Sequence, residues 1–137
     1  MTTFSTKIAV LLRDDLATWQ RLNVTAFLVS GIAATAPEAI GEHYVDADGT
    51  KYLPMFGQPV LVFAGPGTLL TTAHGRALER GLAMSVFTAE LFGTGNDDDN
   101  RAAVRAVPRA ALDLVGLAVV GPRNAVDKTL KGATLHP

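Results

Sequence analysis

Four polar residues stand where buried elements of the chain are predicted to begin or end, and they are the candidates for a ligand site: Arg13, Asp14, Asn23 and Glu90. An arginine or an aspartate can orient a polar ligand, an amide offers neutral hydrogen bonds, and a carboxylate can act as a general base. Ligands of open α/β sheets bind outside the carboxyl ends of the strands. We therefore expect these side chains to share one crevice that binds a small polar molecule. The alternative for each is structural: a charged turn, a hydrogen bond to a neighbouring loop, or a helix cap.

Other side chains offer less chemistry. The chain has no cysteine, which excludes disulfides, thiolate metal sites and a cysteine nucleophile. His43, His74 and His136 share no helix face at metal spacing. The aspartates at 97–99 are consecutive, whereas a calcium loop needs alternating ligands, so we expect them to favour a helix N-terminus. No Gly-x-Ser-x-Gly elbow and no complete phosphate loop occurs. The sequence therefore predicts no metal and no cofactor.

Charge is nearly balanced over the chain but uneven along it. The net charge is -1; residues 1–100 carry six Lys or Arg against eleven Asp or Glu, whereas residues 101–137 carry six against two. The late cations are Arg101, Arg105, Arg109, Arg123, Lys128 and Lys131. They could form one basic face or be ordinary solvated charge, and nucleic acid is not the expected partner. No apolar run approaches the roughly 20 residues of a membrane span. With no signal-like segment either, we expect a cytoplasmic protein with no membrane contact.

Strand and helix patterns alternate along the chain. Buried strands are predicted at about 7–12, 60–64, 84–87 and 114–120, helices at about 18–34, 68–80 and 100–107 and after Gly121-Pro122, and a small hairpin insertion at about 42–55. This order predicts an α/β fold: a three-layer α/β/α sandwich with a mixed, mostly parallel sheet of about four strands, in a single domain over residues 1–137. Thr18 is expected to cap the first helix through its hydroxyl.

The first helix is apolar on two stripes. One stripe consists of Leu22, Ala26, Val29 and Ala33, and the other of Val24, Leu28 and Ile32. A helix that is apolar on both stripes is covered twice, by the sheet and by another helix or a second subunit. We therefore expect a homo-oligomer, with a dimer as the simplest form.

Both ends of the chain resemble the type-II peptidyl-tRNA hydrolase fold. The first strand ends in Arg13-Asp14-Asp15-Leu16 before a long helix, and the last long strand ends in Gly121-Pro122 before a helix that a glycine terminates. The run Leu-Asn-Val-Thr-Ala-Phe at 22–27, together with residues 44–48, 90–92 and 130–132, resembles an uncharacterised bacterial family, domain of unknown function 2000. That family is thought to share the hydrolase fold, and the resemblance to it covers nearly the whole chain.

Two departures from the hydrolase pattern bear on function. The hydrolases carry a lysine near the start of the first helix, where this chain has Asn23, and an Asp-Ala-Gly-x-Thr stretch that residues 88–94 lack. An amide cannot supply the charge-assisted hydrogen bonds of an ammonium group, and a fold alone does not define a function. The leading hypothesis is an uncharacterised protein of this fold that binds a small polar ligand. The alternatives are a hydrolase acting on an ester or on peptidyl-tRNA, and a non-catalytic homo-oligomeric interaction protein.

Overall fold

The first strand lies inside the sheet, with a neighbour on each side. A computed structural model describes residues 4–137. Its elements are β1 (Thr6–Arg13), α1 (Thr18–Thr35), β2 (Tyr44–Val45), β3 (Lys51–Tyr52), β4 (Val60–Gly65), α2 (Gly67–Glu79), β5 (Ala83–Thr88), α3 (Asp97–Arg105), β6 (Leu114–Pro122), α4 (Arg123–Thr129) and β7 (Thr134–Leu135), with short 3₁₀ helices at Pro37–Ala39, Ala89–Gly93 and Arg109–Ala111. β1 pairs with β4 on one side and with β6 on the other, which buries residues 8–12 as their lack of alternation predicts.

The main sheet has five strands in the order β5-β6-β1-β4-β7. The β1–β4 pair is parallel, whereas β6 is antiparallel to β1 and β5, and β7 is antiparallel to β4. The prediction of a mixed sheet is confirmed, but the predictions of about four strands and of mostly parallel pairing are wrong. β6 is antiparallel because the connection from β5 returns to the end that it left, where Thr88 pairs with Leu114. β7 has two residues, which is too short for a periodic pattern.

Helices lie on both faces of the sheet. Successive side chains of a strand point to opposite faces, so β1 supplies both cores. Val10 packs in the core that contains Val24 of α1. Leu11 packs in the opposite core, with Leu70 of α2 and Val126 of α4. Helix α1 therefore stands alone over most of one face, and this leaves room beside it for the segment that follows β5.

Helix α1 differs from the prediction at its start. The N-cap is Ala17, whose backbone N–H donates to Oε1 of Gln20 at 2.9 Å. The prediction that Thr18 caps the helix is wrong, because Thr18 is already the first helical residue. The stripe that begins at Val24 is buried, whereas Leu22 on the other stripe is 68% exposed. In residues 4–137, neither α1 nor any other helix is long and apolar enough to cross a membrane.

The predicted hairpin insertion is confirmed between α1 and β4. Residues Tyr44–Val45 pair antiparallel with Lys51–Tyr52. The turn relies on Gly49, whose φ of 85° is costly for residues with a side chain. The Asp46 carboxylate accepts hydrogen bonds from the backbone N–H groups of Asp48 and Thr50 at 2.9 and 3.0 Å. Local hydrogen bonds of this kind are why a short sequence pattern was sufficient to predict the turn.

Candidate functional site

The carboxyl ends of β1, β4 and β5 reach the same edge of the sheet, where edge means the side formed by the ends of the strands. Arg13, the last residue of β1, pairs with Gly65 at the end of β4. β6 begins at this edge between β1 and β5, and its Leu114 pairs with Thr88 at the end of β5. One strand therefore separates the ends of β1 and β5, which corresponds to about 10 Å. The two ends share an edge, as expected from the sequence.

Arg13 is held at this edge by two carboxylates. Its Nε donates to Oδ1 of Asp15 at 2.6 Å, and its Nη1 donates to Oδ1 of Asp113 at 2.9 Å. The hydrogen bond with Asp15 raises the pKa of Arg13 above its usual value and lowers the pKa of the Asp15 carboxyl. Because Asp113 directly precedes β6, the guanidinium ties the end of β1 to the start of its neighbour. Two of its five N–H groups bond these carboxylates and tie two segments of the fold together, which favours a structural role.

Asp14 and Glu90 lie at the same edge but outside the crevice described next. The backbone of Asp14 receives and donates hydrogen bonds: its N–H donates to Gly65 O and its carbonyl accepts from Nη2 of Arg21, both at 2.9 Å. Its side chain is exposed. Glu90 is exposed in the first turn of the 3₁₀ helix that follows β5. Of the four side chains predicted to form the site, Asn23 alone lines this crevice.

A crevice opens between α1, the end of β5 and residues 91–105, and we call it the α1–α3 crevice. It consists of two adjoining cavities of about 520 and 340 Å³. Both are lined by Phe27 of α1, Phe87 of β5, Leu91, and Asp97 and Asn100 of α3. Cavities of this size accommodate small molecules and cofactors.

Four aromatic rings from three segments form one wall of the crevice. The ring centroids of Trp19 and Phe92 are 5.7 Å apart, those of Phe92 and Phe87 are 5.1 Å apart, and those of Phe87 and Phe27 are 6.0 Å apart. The interplanar angles of 47–70° are the tilted and edge-on arrangements that aromatic pairs prefer. Sequence reasoning missed this wall, although one signal was present: Trp19, Asn23 and Phe27 are spaced four apart on a third stripe of α1.

The opposite side of the crevice is polar and is organised by its own hydrogen bonds. Asn96 caps α3, because its Oδ1 accepts from the backbone N–H of Asp99 at 2.8 Å. Thr94 Oγ1 donates to Leu91 O at 3.0 Å and also contacts Oδ1 of Asn100. These bonds fix the loop that faces α1. Asn23, in contrast, is exposed and forms no side-chain hydrogen bond among residues 4–137, so its amide is available to a ligand.

Three charged side chains line the wider cavity. Arg101 forms ion pairs with Asp97 and with Asp98, the latter at 2.7 Å, and the hydrogen bond with Asp97 raises the pKa of Arg101. Arg105 lies one turn further along α3 and forms no ion pair with any carboxylate of the described residues. The wider cavity therefore carries one cation that no neighbouring carboxylate neutralises.

The three histidines lie in different segments of the fold. Nδ1 of His43 contacts Tyr52 O at 2.9 Å in the hairpin, and Nε2 of His136 contacts Nη1 of Arg21 at 2.9 Å. His74 is buried on α2, and this burial lowers the pKa of its imidazole. Within the described chain, no group of three or more His, Asp or Glu side chains is arranged to hold a metal ion.

The late cations are distributed over both sides of the sheet. Arg101 and Arg105 belong to α3, which borders the α1 side. Arg123 and Lys128 belong to α4, which packs with α2 on the opposite side. The basic excess near the C-terminus therefore does not form one continuous face.

Comparison with known proteins identifies relatives of unknown function. The family model described as protein of unknown function (DUF2000) matches residues 6–137, which confirms that part of the sequence resemblance. The chain is similar to a solved structure, the protein of unknown function Atu0240 from Agrobacterium tumefaciens strain C58. The two sequences are 47% identical, the match covers 98% of this chain and 100% of the other, and the TM-score is 0.96. No curated protein matches the sequence significantly. Since the family model spans nearly the whole chain, the protein belongs to the DUF2000 family.

Proposed function

We propose that the protein binds a small molecule with a flat apolar body and a hydrogen-bonding group in the α1–α3 crevice. The observation that carries the proposal is the Asn23 amide beside an incompletely covered aromatic wall. Trp19 and Phe27, one helical turn before and after Asn23, are 61% and 56% exposed. Aromatic side chains left open next to an amide without an intramolecular partner are typical of a ligand site, where a few polar groups orient a mainly apolar contact.

The exposed aromatic surface is large enough for useful affinity. Covering the open parts of Trp19 and Phe27 would remove roughly 200 Å² of apolar surface from water, since an aromatic side chain buries about 150–250 Å². A flat ligand would lose a similar area, so the gain is about 10 kcal/mol at about 25 cal/mol per Å². Lost translational and rotational freedom costs roughly 4 kcal/mol or more. We therefore expect dissociation constants in the micromolar range for a flat apolar probe.

A fluorescence titration tests the proposal. The uncharged probe N-phenyl-1-naphthylamine should show a saturable rise in emission and should quench Trp19, the single tryptophan of the chain. Phe27→Ala should weaken binding about tenfold, the equivalent of about 1.4 kcal/mol of lost contact. The matched control is Leu78→Ala, which truncates a side chain that is 44% exposed on α2. Non-saturable binding, or equal affinity for the wild type and Phe27→Ala, would overturn the proposal.

A homodimer through α1 is a second proposal, and it rests on a different observation. Arg21 is the single ionisable residue of α1, and its guanidinium is turned inward, donating to Leu16 O at 2.8 Å and to Asp14 O at 2.9 Å. The outer side of the helix is therefore uncharged, and Leu22 is 68% exposed on it. Ala26 on the same stripe is also exposed, and Val29 and Ala33 are half-buried, so the stripe is apolar along its length. Apolar surface patches rather than single residues mark interaction sites.

Sedimentation velocity at micromolar concentration tests the dimer. Leu22→Glu should convert the protein to a monomer, whereas Leu78→Glu on the opposite face should not. Because Leu22 does not line the α1–α3 crevice, probe binding should survive the change. A monomeric wild type would remove the second proposal and leave the first intact.

The remaining finer inferences stay predictions. They are the type-II peptidyl-tRNA hydrolase-like fold, a single domain, a bacterial cytoplasmic protein, and hydrolysis of an ester or of peptidyl-tRNA. Hydrolysis of peptidyl-tRNA would need a surface that binds RNA phosphates, and the late cations that could supply it lie on separate elements.

A further inference from the structure

We infer that the ligand of the α1–α3 crevice is an amphipathic anion, with an acidic group bound by Arg105 and an apolar body against the aromatic wall. This inference rests on the proposed function and goes beyond it by naming the ligand class.

Of the charged side chains that line the wider cavity, Arg105 alone is left to bind an anion. Asp97 and Arg101 pair with each other across one turn of α3, and Arg101 also bonds Asp98 at 2.7 Å. Arg105 lines the same cavity and has no ion pair among residues 4–137. A guanidinium presents a planar fork that binds a carboxylate through two parallel hydrogen bonds, and such charge-assisted bonds are roughly twice as strong as neutral ones.

The surroundings of Arg105 favour an anion that carries an apolar body. Val104 precedes it in the cavity lining, and Leu28, Val86 and Leu91 complete an apolar surface in a cavity of about 520 Å³. A small inorganic anion would leave this surface in water. An amphipathic ligand would cover it and would also shield the ion pair from solvent, which strengthens the attraction.

A structural explanation for Arg105 also exists and makes a different prediction. Basic residues in the last turn of a helix are stabilising because they offset the partial negative charge of the helix C-terminus. That role would affect the stability of α3 but would not make binding depend on the charge of a probe. The decisive comparison is therefore between two probes with the same rings and different charge.

The probes are 8-anilino-1-naphthalenesulfonate and its uncharged counterpart N-phenyl-1-naphthylamine. The wild type should bind the sulfonate at least fivefold more tightly than the neutral probe at low salt, and added salt should reduce that preference. Arg105→Gln should weaken sulfonate binding about fivefold and leave the neutral probe unchanged. Arg105→Lys should restore part of the loss. The matched control, Arg123→Gln, removes an exposed arginine from α4 and should change neither affinity.

The outcomes separate the inference from the proposed function. Saturable binding of the neutral probe with no effect of Arg105→Gln on the sulfonate would overturn the inference and keep the crevice as a binding site. Equal weakening of both probes by Arg105→Gln would also overturn it, since the effect would then be structural. Absence of saturable binding for both probes would overturn the proposed function itself.

Discussion

Helix α1 lies so close to β6 that a side chain does not fit at position 116. A Cβ atom on Gly116 would lie 2.6 Å from Cγ1 of Val24 and 3.1 Å from Cδ1 of Leu28. Val24 is fully buried, and its β-branched side chain has one strongly preferred rotamer in a helix, so it cannot swing away cheaply. Gly116→Ala should therefore lower the free energy of unfolding by about 2 kcal/mol, within the range for overpacked cores. Urea unfolding followed by far-UV circular dichroism measures this change.

A double-mutant cycle with Val24→Ala tests the reason for the loss. Val24→Ala alone should cost about 2 kcal/mol, from two buried methyl groups and the space that they leave. In the double variant the new methyl group occupies part of that space, so the total loss should be smaller than the sum by about 1–2 kcal/mol. Gly75→Ala is the control, because nothing beyond the neighbouring backbone of α2 lies within 4 Å of its Cβ position. Wild-type stability of Gly116→Ala, or additivity in the cycle, would refute the close approach of α1 to β6.

Three further predictions concern Asp15 at the sheet edge, His74 on α2 and the N-cap residue of α3. The hydrogen bond from Arg13 lowers the pKa of Asp15, so the pair stabilises the fold above the usual value of 3.8 and loses that effect as the pH falls through the lowered value. Asp15→Asn should cost under about 1 kcal/mol near neutral pH and nothing in strong acid, measured by urea unfolding. Burial lowers the pKa of His74, so stability falls as the pH drops below the usual 6.5, and His74→Leu should make that fall shallower. Asn96→Ala should cost about 1 kcal/mol, because the cap on the Asp99 N–H is lost, and Asn96→Asp should restore it.

Each of these three predictions can be contradicted by a specific result. If Asp15→Asn lowers the free energy of unfolding by the same amount in acid as at neutral pH, the carboxylate does not stabilise the fold through its negative charge. An unchanged pH dependence for His74→Leu would mean that the pKa of the imidazole does not differ between the native and unfolded states. If Asn96→Ala is as stable as the wild type, the Asn96 cap does not stabilise this side of the crevice.

The sequence predicted those parts of the fold that depend on neighbouring residues. The buried run at 8–12 identified a central strand, and Asp48-Gly49 identified a hairpin turn, because both signals lie within a few residues. The direction of β6 depends instead on where the connection after β5 returns, which no local pattern contains. β7 forms through pairing with β4 and has no pattern of its own.

The sequence predicted a crevice at the edge where β1 and β5 end, but it did not predict most of the residues that line the crevice found there. Arg13 was a reasonable candidate from its position, yet its partner Asp113 is a hundred residues away in the sequence, and this pairing was not predictable. The aromatic wall combines α1, β5 and the segment after β5, so it becomes visible only when the chain has folded. Asn23 was predicted to enter a crevice from the helix, and it does line one.

The hydrogen bond from Ala89 N–H to Asp113 O, at 2.9 Å, joins the two ends of the connection between β5 and β6. Residues 89–113 thus leave and rejoin the sheet at a single point and carry α3 and the outer half of the crevice with them. Sequence changes within this connection would therefore reshape the outer half of the crevice while the pairing of β5 with β6 stays in place.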